Sequence, residues 1–169
     1  MEKKFFIGIG ITSVIILIGG YLLVSKQDTR LDKPLMGQEI SVHGRNHVSV
    51  GTKIDYNSNP PAAGPHYADT AHAGIYDKAP EDGYLVHSLE HGAIILWYKS
   101  DLSTADIEKL KKIFDQMPGK TIMTPRKNLD VPVAVTSWGR ILKLKTIDEK
   151  QIKTFYEVNI NRAPEQAPI

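Results

Sequence analysis

The longest run of apolar positions in the sequence stands near its N-terminus, between Phe5 and Val24. The run contains no charged residue, and its only polar groups belong to one threonine, one serine and one tyrosine. At 1.5 Å per residue, a helix of this length spans about 30 Å, which is the hydrocarbon thickness of a bilayer. The pattern therefore predicts a transmembrane helix.

Three interpretations of this run compete: a membrane anchor, a cleaved signal peptide and a buried helix of a soluble domain. A signal peptide has a shorter apolar region, of about 7–15 residues, and small residues at its cleavage site. The segment LLVSKQD at the end of the run offers no such site, and terminal position and length disfavour a buried helix. We therefore favour an uncleaved signal anchor. Lys3 and Lys4, before the run, predict a cytoplasmic N-terminus. Lys26 and Arg30, after it, weaken the difference in positive charge between the two sides.

The predicted organisation is a tail and transmembrane signal anchor at 1–25, a linker at 26–35, and a single extracytoplasmic domain at 36–169. This arrangement predicts a single-pass protein of the cell membrane, which it contacts through the N-terminal helix. Within the domain, residues 36–56 show short alternations that are typical of one or two strands. Residues 57–83 are dense in turn-forming residues, which predicts a long loop region of the kind that often carries function.

A regular pattern begins after this loop region. The apolar run at 93–98 predicts a buried strand, and apolar residues at helical spacing after Ser103 predict a helix that ends at Pro118. A strand follows at 121–124. A hairpin around Trp138-Gly139 joins 131–137 to 140–145, and a second helix occupies 148–159. This order predicts an α+β fold, with two helices on a small, mostly antiparallel sheet beside the His-rich loops. A ferredoxin-like arrangement is one topology that fits.

Composition narrows the classes of function. The 169 residues suffice for one domain with an appendage, and 41% hydrophobic and 24% charged residues are typical of a folded chain. A net charge of +2 gives no support to nucleic-acid binding. The absence of cysteine excludes disulfides, thiol catalysis and Cys-ligated zinc. A metal site in this chain would use His, carboxylate, Met or backbone oxygen.

The histidines are confined to one part of the sequence. They are His43, His47, His66, His72, His87 and His91. This window overlaps the predicted loop region, and no histidine follows it. A single histidine in such a place is often a surface residue or a hydrogen-bonded filler, but the clustering of all six favours a metal site.

The sharpest local motif is H-x-x-E-H, formed by His87, Glu90 and His91. On a helix, positions i and i+4 face the same way, so both imidazoles could hold one metal ion while the glutamate acts as a base. A zinc peptidase needs this motif on a sustained helix, yet Gly92 and a predicted strand follow at once. We therefore predict a short turn that presents the two histidines as ligands.

A second motif, NPPAAGPHY, surrounds His66. Proline fixes φ and glycine permits tight turns, so this loop should hold a stiff shape. Two interpretations remain open for it. The loop either brings a distant ligand to a preformed site or caps the sheet, with His66 bonded to backbone.

Together these motifs resemble a prokaryotic family of domains of unknown function, family 3105. The resemblance runs from His47 to Glu165 through P-P-x-x-G-P-H-Y, V-H-S-L-E-H-G, W-G-R and a terminal A-P-E. It carries no established activity. It implies that His47, His66, His87, His91 and Glu90 occupy motif positions, whereas His43 and His72 do not. The family loop commonly reads P-P-T-S-G-P-H, and this chain departs from it at Ala62-Ala63.

Three functions remain open, and the favoured one is a membrane-anchored extracytoplasmic metal-binding domain. Its core ligands are His66, His87 and His91, and His47 or Glu90 completes the sphere. An imidazole-rich set suits copper or zinc. The alternatives are a metal-free cell-envelope interaction module with a protein partner, and a metal-dependent envelope hydrolase with Glu90 as base. A non-enzymatic function is favoured, and no nucleic acid is expected as a partner.

Overall fold

The computed structural model describes residues 32–169, and the sheet within them has six strands. The strands are β1 (Gln38–Glu39), β2 (Gly74–Ile75), β3 (Ile94–Lys99), β4 (Thr121–Arg126), β5 (Val133–Ser137) and β6 (Arg140–Leu144). The helices are α1 (Asp82–Glu90), α2 (Thr104–Phe114) and α3 (Glu149–Asn159). Residues 34–169 form one compact unit.

The sheet is mixed, with strand order β1-β6-β5-β3-β4-β2. The pairs β1–β6, β6–β5 and β5–β3 are antiparallel. The pairs β3–β4 and β4–β2 are parallel. The β5–β6 hairpin turns at Trp138-Gly139, where Gly139 has a φ of 68°, a left-handed conformation that glycine adopts without strain. The β3–β4 pair is parallel because α2 carries the chain back across the sheet between them.

Alternation along the central strand β3 divides the core into two layers. Ile94 and Leu96 pack with α2 and α3 on one face, and Ile95 and Trp97 pack with α1 and the loops on the other. All four side chains are fully buried. The candidate site lies on the α1 side of the sheet.

Helices α2 and α3 confirm the two predicted helices. Each begins at a polar cap, because Ser103 accepts a hydrogen bond from the Asp106 amide and Asp148 accepts one from the Gln151 amide. The predicted hairpin is also present, with Ser137 paired to Arg140. The α+β class is correct.

The predicted sheet topology and number of helices are wrong. The sheet is mixed rather than mostly antiparallel, and a third helix, α1, stands where loop and turn were predicted. Strands β3 and β4 are direct neighbours, whereas a ferredoxin-like fold places another strand between the two strands that a helix connects. No helix within residues 32–169 is long and apolar enough to cross a membrane. The predicted transmembrane segment at 5–24 lies outside the described residues.

Candidate metal site

Helix α1 ends at the candidate site and presents three of its polar side chains there. His87 and Glu90 lie in its last turn, and His91 is its C-cap. Positions separated by three and four residues share one helix face, which explains why these side chains converge. Gly92 then takes a φ of 88°, a left-handed conformation that ends the helix and turns the chain toward β3.

The Pro-rich loop brings His66 to this face, and His47 reaches it by pairing with the loop. The His66 amide donates to the Asn46 carbonyl at 3.2 Å, and the Val48 amide donates to the His66 carbonyl at 2.8 Å. These bonds pair His47 with His66 in an isolated parallel bridge. Tyr56 fixes the loop further, because its hydroxyl donates to the Pro65 carbonyl.

Four side chains form what we call the inner group. Its members are His47, His66, His87 and Glu90. Each offers one ligand atom, and these atoms all lie within 4.8 Å of one another. Ligands about 2.0–2.2 Å from a tetrahedral zinc stand roughly 3.4 Å apart, so side-chain shifts on the order of 1 Å would close the group around an ion. Three members are buried and His47 is exposed.

Three aromatic ring contacts hold the imidazoles of the inner group together. The His66 and His87 rings stack with centroids 4.7 Å apart. The His47 ring lies 5.1 Å from His66 and 4.9 Å from His87. The packing therefore positions three imidazoles around one point before any ligand arrives.

His66 has a defined tautomer. Its Nδ1 lies 2.8 Å from the Gly64 carbonyl, and a carbonyl only accepts, so Nδ1 carries the proton. In a neutral ring, Nε2 then holds a lone pair. This Nε2 lies 2.9 Å from Glu90 Oε2, out of line for a hydrogen bond, and has no other hydrogen-bond partner. Two buried acceptor atoms therefore face each other at close range.

His87 is held as a neutral ring. Its pKa is lowered, first by burial and then by the neighbouring imidazoles of His66 and His91. Its Nδ1 is buried and has no hydrogen-bond partner. A neutral imidazole with an unpartnered nitrogen is the form that binds a metal ion.

The Arg45 guanidinium contacts the inner group. Its Nε donates to Glu90 Oε1 at 2.5 Å, and its Nη2 lies 3.5 Å from Glu165 Oε1. The Glu90 side chain is only 2% exposed, whereas that of Arg45 is 47% exposed. The guanidinium therefore offsets part of the charge of a buried carboxylate from the solvent side.

A second cluster adjoins the first, and we call it the outer group. Its members are His87, His91 and Glu165. The His91 Nδ1 lies 2.8 Å from the Pro168 carbonyl, and its Nε2 lies 3.3 Å from Glu165 Oε2. The C-terminal segment is held here by backbone bonds, from the Glu165 amide to the Glu90 carbonyl and from the Asn161 amide to the Gly92 carbonyl.

The structure thus separates the predicted ligands into two overlapping groups. His47, His66, His87 and Glu90 stand together, whereas His91 shares a group with His87 and Glu165. His43 and His72 belong to neither. Metal binding by these residues stays a prediction.

Two residues of the site, Arg45 and Glu165, were not among the predicted ligands. Arg45 lies in no motif, so nothing in the sequence pointed to it. Glu165 stands in the A-P-E element of the family resemblance, which was the only indication of its importance.

Comparison with known proteins identifies a family but no activity. The model of a family described as "Protein of unknown function (DUF3105)" matches residues 47–168. No curated protein and no solved structure matches the chain. The match begins at His47 and includes Glu165, so it contains every member of both groups but not Arg45.

Proposed function

The chain belongs to the DUF3105 family, and we propose that its domain binds one divalent copper or zinc ion through the inner group. The family description assigns no activity, so the proposal rests on the geometry of the site. The proposed role is to hold a metal ion, as in metal storage, delivery or sensing, rather than to catalyse a reaction.

The observation that carries the proposal is the contact between His66 Nε2 and Glu90 Oε2. In a neutral His66 ring both atoms are acceptors, both side chains are buried, and the two atoms stand 2.9 Å apart. Such a pair needs either a proton or a cation between the two atoms. A metal ion that binds both atoms would satisfy the two together, and His47 and His87 each offer a further ligand atom in the same group.

The donor set favours copper or zinc over other biological ions. Three imidazoles and one carboxylate suit Cu(II) and Zn(II), whereas Mg²⁺ and Ca²⁺ prefer oxygen ligands. Cu(I) prefers thiolate or thioether ligands. The buried methionines Met117 and Met123 pack in the core layer on the opposite face of the sheet.

A metal-free network is the second candidate, and the Arg45–Glu90 contact favours it. The guanidinium already neutralises the carboxylate in part. If His66 also carried a proton on Nε2, it would form an ion pair with Glu90, and the cluster would then fix the loops for contact with a partner protein. Metal content separates this candidate from the first.

No comparable observation supports a hydrolase. Glu90, which would be the base, has one oxygen against Arg45 and the other against His66. A general base needs an oxygen free to reach a bound water. Helix α1 also ends at Glu90, so the sustained helix of a zinc peptidase is absent from this motif.

Metal content tests the proposal directly. The full chain, purified without a histidine tag and kept in mild detergent because residues 5–24 are apolar, is exposed to Cu, Zn, Ni, Co and Mn together, desalted and measured by elemental mass spectrometry. We expect one ion per chain after desalting. We expect none after desalting in His66→Ala and in His87→Ala, because any remaining binding is too weak to survive that step. His72→Ala is the matched control, since His72 is exposed and outside both groups. A metal-free wild type would leave only the network candidate.

A further inference from the structure

The outer group repeats the arrangement of the inner group in a more accessible place. The Pro168 carbonyl accepts from His91 Nδ1, just as the Gly64 carbonyl accepts from His66 Nδ1. In both groups the opposite nitrogen of the ring, Nε2, faces a carboxylate oxygen, at 3.3 Å in the outer group. The outer group is therefore a second set of preoriented nitrogen and oxygen ligands.

The two groups differ in exposure. The Glu165 side chain is 46% exposed and that of His91 is 12% exposed, whereas the side chains of His66 and Glu90 are 0% and 2% exposed. The outer carboxylate is therefore much more accessible to an ion from solvent than the inner one.

The shared residue, His87, prevents the two groups from acting independently. A neutral imidazole has one N–H and one lone pair, so it can bind only one ion at a time. Its ring lies 4.5 Å from the His91 ring and 4.7 Å from the His66 ring, between the two groups. The groups are thus alternative positions for one ion. A small rotation of the His87 ring would let it bind the ion in either group.

We propose that the outer group is the entry position for the metal ion, which then passes to the inner group while His87 remains bound to it. This inference rests on the proposed function. It assigns to His91 and Glu165 the capture of a divalent cation, and to His87 the transfer between the two positions.

Arg45 supports this transfer because it contacts both carboxylates. Its Nε bonds Glu90 and its Nη2 lies near Glu165. When the ion occupies one carboxylate, the guanidinium is free to pair with the other. The transfer therefore leaves neither carboxylate without a cation nearby.

Rapid mixing of the full chain with Cu²⁺ tests the inference, with the quenching of tryptophan fluorescence as the readout. Trp138 serves as the fluorescent reporter, since its ring lies 6.1 Å from the His66 ring. Glu165→Gln should slow uptake by about tenfold, because electrostatic capture is lost, while the equilibrium affinity stays within about twofold. Glu157→Gln, an exposed carboxylate on α3, is the matched control and should take up Cu²⁺ at the wild-type rate.

A second measurement isolates the outer group. A His47→Ala/His66→Ala variant should still bind one Cu²⁺ ion, more weakly, and adding Glu165→Gln should abolish this binding. Circular dichroism confirms that the variants are folded.

The outcomes separate the inference from the proposed function. Two ions per wild-type chain, or unchanged uptake in Glu165→Gln at a stoichiometry of one, would overturn the entry position while metal binding stands. No residual binding in the His47→Ala/His66→Ala variant would overturn it in the same way. A wild type that binds no ion would refute both.

Discussion

Arg45 Nε lies 2.5 Å from Glu90 Oε1, so a half-exposed guanidinium reaches a carboxylate whose side chain is only 2% exposed. Without a metal ion, this contact offsets part of the buried charge. With a metal ion on Glu90 Oε2, the same contact becomes much less important. The contribution of Arg45 to stability therefore reports on whether the site holds a cation.

Replacing Arg45 should destabilise the metal-free protein more than the metal-loaded one. In chelator, we expect Arg45→Met to lower the free energy of unfolding by about 2 kcal/mol, less than the loss of a fully buried partner because half of Arg45 is in solvent. With one equivalent of Zn²⁺, the loss should shrink below about 1 kcal/mol. Urea unfolding in both conditions measures the difference.

Lys53→Met is the control for Arg45→Met. Lys53 pairs with Asp55 at 3.6 Å, with both side chains almost fully in solvent, and its loss should change stability little in either condition. An equal loss for Arg45→Met with and without Zn²⁺ would mean that Arg45 acts only as a packing partner.

Helix α1 shows why part of the fold could not be predicted from the sequence. Seven of its nine residues are buried, including the polar His87, Ser88 and Glu90, so it has no polar face and no amphipathic period. Its N-cap, Glu81, makes no side-chain capping bond. Helices α2 and α3 have both a capping side chain and an apolar stripe, which explains why they were predicted correctly.

The candidate site was predictable in its chemistry but not in its assembly. The clustered histidines and the H-x-x-E-H spacing predicted His66, His87 and His91 as the core ligands, with His47 or Glu90 beside them. The structure places His91 in the outer group instead. Sequence cannot show that the His47–His66 bridge lies against the end of α1, because that contact depends on how the loops fold over the sheet. The C-terminal tail returns Glu165 to Glu90 across 75 residues of chain, which no local pattern encodes.

Ser88 links the loop region to α1 and should matter for stability rather than for metal content. Its buried hydroxyl accepts from the Ala71 amide at 3.0 Å and donates to the Ala71 carbonyl at 2.9 Å. In Ser88→Ala the Ala71 carbonyl loses its hydrogen bond from the serine hydroxyl. This loss should lower the free energy of unfolding by about 1–3 kcal/mol. Urea unfolding measures the loss, and elemental analysis should still find one ion per chain.

The exposed Ser49 provides the comparison for Ser88→Ala. Ser49→Ala should change the free energy of unfolding by less than about 0.5 kcal/mol. Loss of metal from a folded Ser88→Ala protein would contradict the structural role and place the hydroxyl in the site.

His87 should make the stability of the metal-free protein depend on pH. Its folded-state pKa is lowered from the ordinary value of 6.5, mainly by burial, so below about pH 6.5 the unfolded state binds a proton that the folded state does not. Stability should therefore fall as pH falls from 6.5, by up to about 1.4 kcal/mol per pH unit, and be independent of this group above that pH.

Urea titrations between pH 5 and 8 in chelator, on wild type and His87→Asn, isolate this contribution. The difference in unfolding free energy between the two proteins should change below pH 6.5 and be flat above it. His72→Asn, at an exposed position, should follow the wild type throughout. Parallel curves for wild type and His87→Asn would mean that His87 takes up its proton in the folded state as readily as in the unfolded chain.

Gly92 and Gly119 offer a matched pair for testing how the C-terminal segment is held against the site. Both have a left-handed φ, of 88° and 92°, so an alanine at either position costs about 1 kcal/mol of backbone strain. A Cβ at Gly92 would also stand 2.8 Å from the Asn161 Cα, whereas a Cβ at Gly119 would meet nothing within 4 Å. Gly92→Ala should therefore lose about 1–3 kcal/mol more than Gly119→Ala in urea unfolding.

The same pair tests the coupling between this contact and the outer group. The Asn161 amide donates to the Gly92 carbonyl at 2.9 Å, and Asn161 begins the segment that carries Glu165. Pushing Asn161 away should displace Glu165, so Gly92→Ala should slow Cu²⁺ uptake as Glu165→Gln does, while Gly119→Ala leaves uptake unchanged. If Gly92→Ala is destabilised but takes up Cu²⁺ at the wild-type rate, the packing at Gly92 supports the fold without positioning the outer carboxylate.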